Sequence, residues 1–106
     1  MDQYTVQMTD EALSNMEEIY RYIADKLKSS ENAIGQYNRI ADEILSLHIF
    51  PARYPPVDFE PERSLGLRRM LVDNYSVFYV VHGSCVIVTN VLYSASDIVQ
   101  RLKGTL

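Results

Sequence analysis

The sequence predicts an α+β fold: an N-terminal strand, an antiparallel helical hairpin, then a three-stranded antiparallel meander with a short C-terminal helix. Three observations carry this. Apolar residues recur every three or four positions between Ala12 and Leu27 and again between Ala33 and Leu47, the pattern of two amphipathic helices. From Leu67 to Tyr93 the chain is dominated by β-branched and aromatic residues, interrupted at Asp73-Asn74 and at His82-Gly83-Ser84, which read as turns between three strands. A length of 106 residues supports one hydrophobic core and not a second, so residues 1–106 are expected to form one domain.

The elements follow in order. Tyr4-Thr5-Val6-Gln7-Met8 alternates and is rich in strand formers, so it opens the chain as a short strand. Thr9 offers a capping hydroxyl, and Asp10 and Glu11 suit the positive end of a helix dipole. The helix that starts there should bury Ala12, Met16, Ile19, Tyr20, Ile23 and Leu27 and expose Glu17, Glu18, Arg21 and Asp25. After the polar link Lys28-Ser29-Ser30-Glu31, either serine can cap a second helix, whose inner face is Ala33, Tyr37, Ile40, Ala41, Ile44 and Leu47. So short a link makes the two helices an antiparallel pair. Gly35 lowers helix propensity by about 1 kcal/mol and is expected to mark close packing against the first helix. Pro51 is expected to end the second helix. The stiff stretch Arg53-Tyr54-Pro55-Pro56-Val57-Asp58, with Pro61 beyond it, is long for a connection and is a functional candidate. The three strands come next. Ser94-Ala95-Ser96-Asp97 then has the form of a capping box before Ile98, Val99 and Leu102.

Composition narrows the function classes. The net charge is -4, but residues 1–50 carry nine acids against four bases, and residues 51–106 carry five acids against six bases. An acidic helical half thus backs an arginine-bearing sheet, which is not the overall footprint of a nucleic-acid-binding domain. No apolar run approaches the roughly 20 residues of a membrane span, and no leader pattern opens the chain, so a cytoplasmic location without membrane contact is expected. Cys85 is a lone cysteine among Val86, Ile87 and Val88 and reads as a buried strand residue. His48 and His82 have no ligand spacing, so neither metal nor cofactor is expected. There is no glycine-flanked nucleophilic serine and no glycine-rich phosphate loop.

Taken together, Leu47-His48-Ile49-Phe50-Pro51, Gly66-Leu67-Arg68-Arg69-Met70-Leu71-Val72, Tyr75-Ser76-Val77-Phe78-Tyr79-Val80-Val81 and Val91-Leu92-Tyr93-Ser94-Ala95-Ser96-Asp97, in this order, resemble the RelE/ParE family of type II toxin-antitoxin toxins. The resemblance spans almost the whole chain. It implies a bacterial growth inhibitor associated with plasmid stabilization, neutralised by a cognate antitoxin protein, and forming a homodimer or a heterotetramer with that antitoxin. One branch of the family is similar to ribosome-dependent mRNA endoribonucleases; the other resembles ParE, which is not a nuclease and poisons DNA gyrase through protein contacts.

Cleaving RNA by 2′-hydroxyl attack requires a base, an acid and cations on the developing phosphorane. In the nuclease branch a base follows the tyrosine of the central strand, where this chain has Ser76, and another sits in the corner occupied here by Tyr93-Ser94-Ala95-Ser96. That depletion favours the ParE-like branch, with Arg68, Tyr75, Tyr93, Arg101 and Lys103 as candidate partner contacts. The nuclease alternative would use Arg68, Arg69 and Tyr93 as catalytic residues, and the third alternative is an inactive member that only binds its antitoxin. An unperturbed tyrosine, with a pKa of about 10, needs neighbouring cations to serve as the acid. Arg68 and Arg69 alternate faces on a strand, so only one can point toward the helices. For each, a contact role competes with a salt bridge from a solvated edge strand to the acidic hairpin. Tyr75 and Tyr79 read as packing residues and Asp97 as a helix cap.

Overall fold

The computed structural model describes residues 3–103. Its elements are β1 (Thr5–Met8), α1 (Asp10–Arg21), α2 (Ser30–Leu45), β2 (Arg68–Val72), β3 (Tyr75–His82), β4 (Cys85–Tyr93) and α3 (Ile98–Leu102). The predicted class is the observed one. The meander β2-β3-β4 is antiparallel, and β1 joins it as a parallel neighbour of β4, giving a four-stranded sheet in the order β1-β4-β3-β2. The parallel pairing follows from the helical hairpin, which carries the chain across one sheet face before it returns. β4 therefore lies between two strands, and Val86, Val88, Val91 and Leu92 are all buried.

The sheet has two covered faces. On one, α1, the turn Tyr22–Lys26 that follows it and α2 bury Ala12, Met16, Ile19, Ile23, Ala33, Ile40 and Ile44 against Met70, Val72, Val77, Tyr79, Val86, Val88 and Val91. On the other, a smaller core of Val57, Leu67, Phe78, Leu92, Ile98 and Leu102 is made by the segment before β2 and by α3. Tyr20 and Tyr37 meet edge to face between the two long helices, with ring centroids 6.4 Å apart.

The helical face and the sheet are locked at one irregularity. Phe78 pairs with Asn90, but Tyr79 pairs with Val88, so Thr89 is the extra residue of a β-bulge. Thr9 caps α1 by accepting from the Ala12 N–H at 3.1 Å, and its hydroxyl donates to the Thr89 carbonyl at 3.0 Å. One turn further on, the buried Asn15 accepts the Val91 N–H at 3.0 Å through Oδ1 and donates to Glu11 at 3.3 Å. α1 thus supplies a donor for the carbonyl of the bulged Thr89 and an acceptor for the Val91 N–H, which lies beyond the end of β1.

Several local expectations are corrected. Leu27, expected in the core, is 60% exposed, because the helix widens into one π-type turn over Tyr22–Lys26 that rotates the residues after it. Gly35 is solvent-exposed, and a Cβ built on it meets nothing within 4 Å, so it does not mark close packing. α2 stops at Leu45, not at Pro51. Its end is secured by Ser46, which donates to the Glu43 carbonyl at 2.6 Å, and by Arg53, which donates to Ser46 Oγ at 2.9 Å and to the carbonyls of Ile49 and Phe50. Pro51 instead begins a 3-10 turn, after Phe50 in a left-handed conformation. Cys85 is half-buried and carries a free thiol. Ser94 is no cap: Asp97 alone caps α3, accepting from the Gln100 N–H at 3.4 Å.

Two stability measurements follow. Asn15→Ala leaves the Val91 N–H buried without an acceptor and should lower the unfolding free energy by about 1–3 kcal/mol in urea titration. Gly35→Ala enters open space in a helix interior and should raise the urea midpoint, with a gain of up to about 1 kcal/mol.

Candidate functional site

A cavity of about 540 Å³ opens at the end of the sheet where α1, the β2-β3 turn, β4 and α3 converge. From α1 and the wide turn come Asn15, Glu18, Ile19, Tyr22 and Leu27; from the β2-β3 turn, Asn74; from the sheet, Tyr75 and Val91 to Tyr93; from α3, Arg101. The π-type turn is what brings Tyr22 and Leu27 here, closed by the Leu27 N–H to Tyr22 carbonyl bond at 3.4 Å. Lys28 then takes a left-handed conformation that redirects the chain into α2.

Tyr93 reaches the cavity because of the bulge. Val86 and Val88 face the helices; the extra Thr89 shifts the alternation, so Val91 and Tyr93 face them too, and Tyr93 pairs with Tyr75. The two rings meet edge to face at 5.9 Å. Burial, then the neighbouring Tyr93 and Tyr22 hydroxyls, push the Tyr75 phenol above its ordinary pKa. Glu18 and Arg101 approach to 3.8 Å at the mouth. Tyr22 and Tyr93 are each more than half exposed. Aromatic walls with one acid and one base at the rim suit the anchor side chain of a protein partner, since such pockets concentrate binding energy.

The candidate residues separate into groups. Tyr75, Tyr93 and Arg101 line this cavity together, while Lys103 is exposed beyond it, at the end of α3. Arg68 lies on the helical side of β2 and is occupied: its Nη1 donates to the carbonyls of Ala52 at 3.3 Å and Tyr54 at 2.6 Å, pinning the segment before β2. Arg69 faces the other way, with Nε on Ser76 Oγ at 2.9 Å and its guanidinium 5.5 Å from the Phe78 ring. Among the described residues neither arginine forms a salt bridge to the acidic hairpin. The expected link exists with its polarity reversed: Arg39 of α2 holds Asp73 in the β2-β3 turn through two bonds of 2.8 and 3.0 Å, and Gln36 adds a third at 3.0 Å. Arg39 and Gln36 keep the Asp73 carboxyl below its ordinary pKa.

For nucleophilic or acid-base chemistry the arrangement is sparse. Arg68 and Arg69 stand on opposite faces and cannot close on one phosphate. Arg69 and Tyr93 do line a shallow hollow with Leu71, Asn74 and Ser94. Tyr79 is fully buried, donates to the Pro51 carbonyl at 2.5 Å, and burial pushes its phenol up to about 12. His48 Nδ1 lies 2.8 Å from the Leu45 carbonyl. Among the described residues no group of three His, Cys, Asp or Glu could hold a metal ion, and no helix is long and apolar enough to cross a membrane.

The sequence reading missed Asn15, Glu18, Tyr22 and Asn74 as cavity residues. Asn15 had a signal: it lies three residues after Ala12 and four before Ile19, a polar residue on the apolar stripe. Tyr22 had none, because regular helical spacing does not anticipate a π-type turn.

Residues 6–98 match the family model described as ParE toxin of type II toxin-antitoxin system, parDE. No curated protein sequence matches the chain. The fold is similar to a chain from the chromosomal ParDE TA system of P. aeruginosa, with a TM-score of 0.72 and 17% identity over 86% of this chain and 96% of that one. It is also similar to a chain of the toxin-antitoxin complex RelBE2 from Mycobacterium tuberculosis, with a TM-score of 0.65 and 18% identity over 91% and 97%. A third likeness is to an arginine-to-alanine double mutant of E. coli toxin RelE in the free state, with a TM-score of 0.61 and 13% identity over 93% and 92%. At these identities the likeness to solved structures concerns the fold.

The phenols give a direct check. Tyr79 should ionise in a late step, near pH 12, in a tyrosinate absorbance titration. Its folded pKa lies above the ordinary value of 10.0, so its contribution to stability is complete below about pH 10 and is lost as the pH rises toward 12. Tyr79→Phe should remove that late step.

Proposed function

The chain belongs to the ParE toxin family of type II toxin-antitoxin systems, and on that premise we propose that it arrests bacterial growth by binding DNA gyrase through protein contacts and is neutralised by a cognate antitoxin. The observation that carries the reading is the tyrosine-lined cavity at the end of the sheet, which offers an anchor-binding surface with Glu18 and Arg101 at its rim. Tyr75, Tyr93 and Arg101 are the contacts for the target, with Lys103 at its edge. The depletion of bases supports the same choice: Ser76 and the corner Tyr93-Ser94-Ala95-Ser96 hold no cation, and Arg68 is occupied by loop carbonyls. That the structural neighbours include chains from the ParDE TA system and the RelBE2 toxin-antitoxin complex supports an antitoxin as the regulating partner.

A second reading has one observation in its favour. Arg69 and Tyr93 share a hollow, so a cation and a phenol stand on one surface, as a ribosome-dependent endoribonuclease would require. The two readings part in one experiment. Purified protein should stabilise gyrase-DNA cleavage complexes and leave mRNA intact in a translating extract. Tyr93→Ala should raise the concentration needed by tenfold or more, since truncating an aromatic anchor costs about 2 kcal/mol. Cleavage of mRNA on ribosomes, abolished by Arg69→Ala, would establish the nuclease instead.

A further inference from the structure

Arg69 is held by a hydroxyl and an aromatic ring. Its Nε is fixed on the Ser76 hydroxyl at 2.9 Å, and that hydroxyl is 2.8 Å from the Ser94 hydroxyl, so three side chains from three strands or their ends set the plane of the guanidinium. Phe78 lies beneath it at 5.5 Å. Among the described residues it has no carboxylate partner, and no hydrogen bond uses its two terminal nitrogens. A guanidinium anchored through Nε presents both terminal nitrogens as a fork that fits one carboxylate end-on.

The surroundings indicate the kind of molecule that would bring the carboxylate. Two hollows, of about 440 and 430 Å³, meet along β2, since Arg69 and Leu71 line both. One is walled by Tyr54, Pro55, Pro56 and Phe59, and Leu71 stands 64% exposed between them. Arg69 is the sole base lining either hollow, while Asp58 and Asp73 line one each. A nucleic acid would set repeated phosphates against one cation and two carboxylates; a peptide with one acid among apolar residues meets a matching surface. The backbone agrees. β2 is an outer strand, and the Arg69 N–H points outward to the Pro55 carbonyl at 3.2 Å. The N–H and carbonyl of Leu71, two residues on, point the same way, past the end of that pairing segment.

We propose that this trough is a subsite for a single glutamate or aspartate of an extended peptide, gripped end-on by Arg69 with apolar neighbours of the peptide against Leu71 and Phe59. It deepens the proposed function, because the natural source of such a peptide would be the antitoxin, but the site itself stands apart from growth arrest and from gyrase.

The test uses the full chain and isolated probes, so its outcome is independent of toxicity. The arginine Nε–H resonances and, as a reporter that survives substitution of Arg69, the backbone amide resonance of Leu71 are followed by NMR while acetyl-Val-Glu-Val amide, its Gln counterpart or the dinucleotide UpU is added. The Arg69 resonance should respond to the Glu peptide, with the Gln peptide about tenfold weaker, the difference between a charge-assisted and a neutral pair. Arg69→Gln, checked for an unchanged circular dichroism spectrum, should abolish the preference for Glu. Ser76→Ala and Ser94→Ala should each reduce it while Arg69 is still present. Equal responses to the two peptides, a preference retained in Arg69→Gln, or a stronger response to UpU than to the Glu peptide would each overturn the proposal.

Discussion

The bond between Asn15 and the Val91 backbone, together with the cap at Thr9, is the constraint on which the arrangement depends. β1 ends opposite Val88, so the carbonyl of the bulged Thr89 and the Val91 N–H have no strand partner on that side, and leaving either unpaired would cost about as much as a lost hydrogen bond. α1 answers both needs from one face, its capping residue reaching the carbonyl of Thr89 and its second turn reaching the N–H of Val91. The bulge in turn decides which way the last third of β4 faces. With it, Tyr93 joins Tyr75 on the helical side and Leu92 joins the smaller core beneath α3. Without it, the alternation of a regular strand would exchange them.

The arginines illustrate how tertiary context divides charges that look equivalent in the sequence. Arg39 is tied to Asp73 and fastens α2 to the β2-β3 turn. Arg53 and Arg68 bond backbone carbonyls, one at the end of α2 and one in the segment entering β2. Arg101 bridges α3 to α1 at the rim of the cavity. Arg69 is held by a hydroxyl and an aromatic ring, neither of which neutralises it. The positive charge of the sheet is therefore mostly internal mortar, and the part available to a partner is concentrated at Arg69 and around Arg101. Ser76 and Ser94 have a role in this setting, since Ser76, bonded to Ser94, orients the arginine of the neighbouring strand.

Much of the fold was legible because it rests on local rules. The caps at Thr9 and Ser29, the amphipathic stripes through Ile23 and Leu47, the turns at Asp73 and Gly83, and the opposite faces of Arg68 and Arg69 all follow from helical and strand periodicity and from side-chain to backbone bonding over a few residues. The candidate site was legible in part: Tyr75, Tyr93 and Arg101 were visible as candidates, but nothing in their spacing said that they meet. Arg68 was a candidate on the resemblance, and its guanidinium is bonded to the carbonyls of Ala52 and Tyr54.

The sequence by itself determined the elements, their order and the faces they bury, since those depend on interactions within a turn of helix or between adjacent positions of a strand. Only the tertiary structure decided the bulge at Thr89, the wide turn that exposes Tyr22 and Leu27, and that Arg69 has no carboxylate partner among the described residues. The physical reason is the separation of the groups involved. Asn15 and Val91 are 76 positions apart, and a backbone irregularity is stable only where a distant side chain satisfies the polar groups it releases.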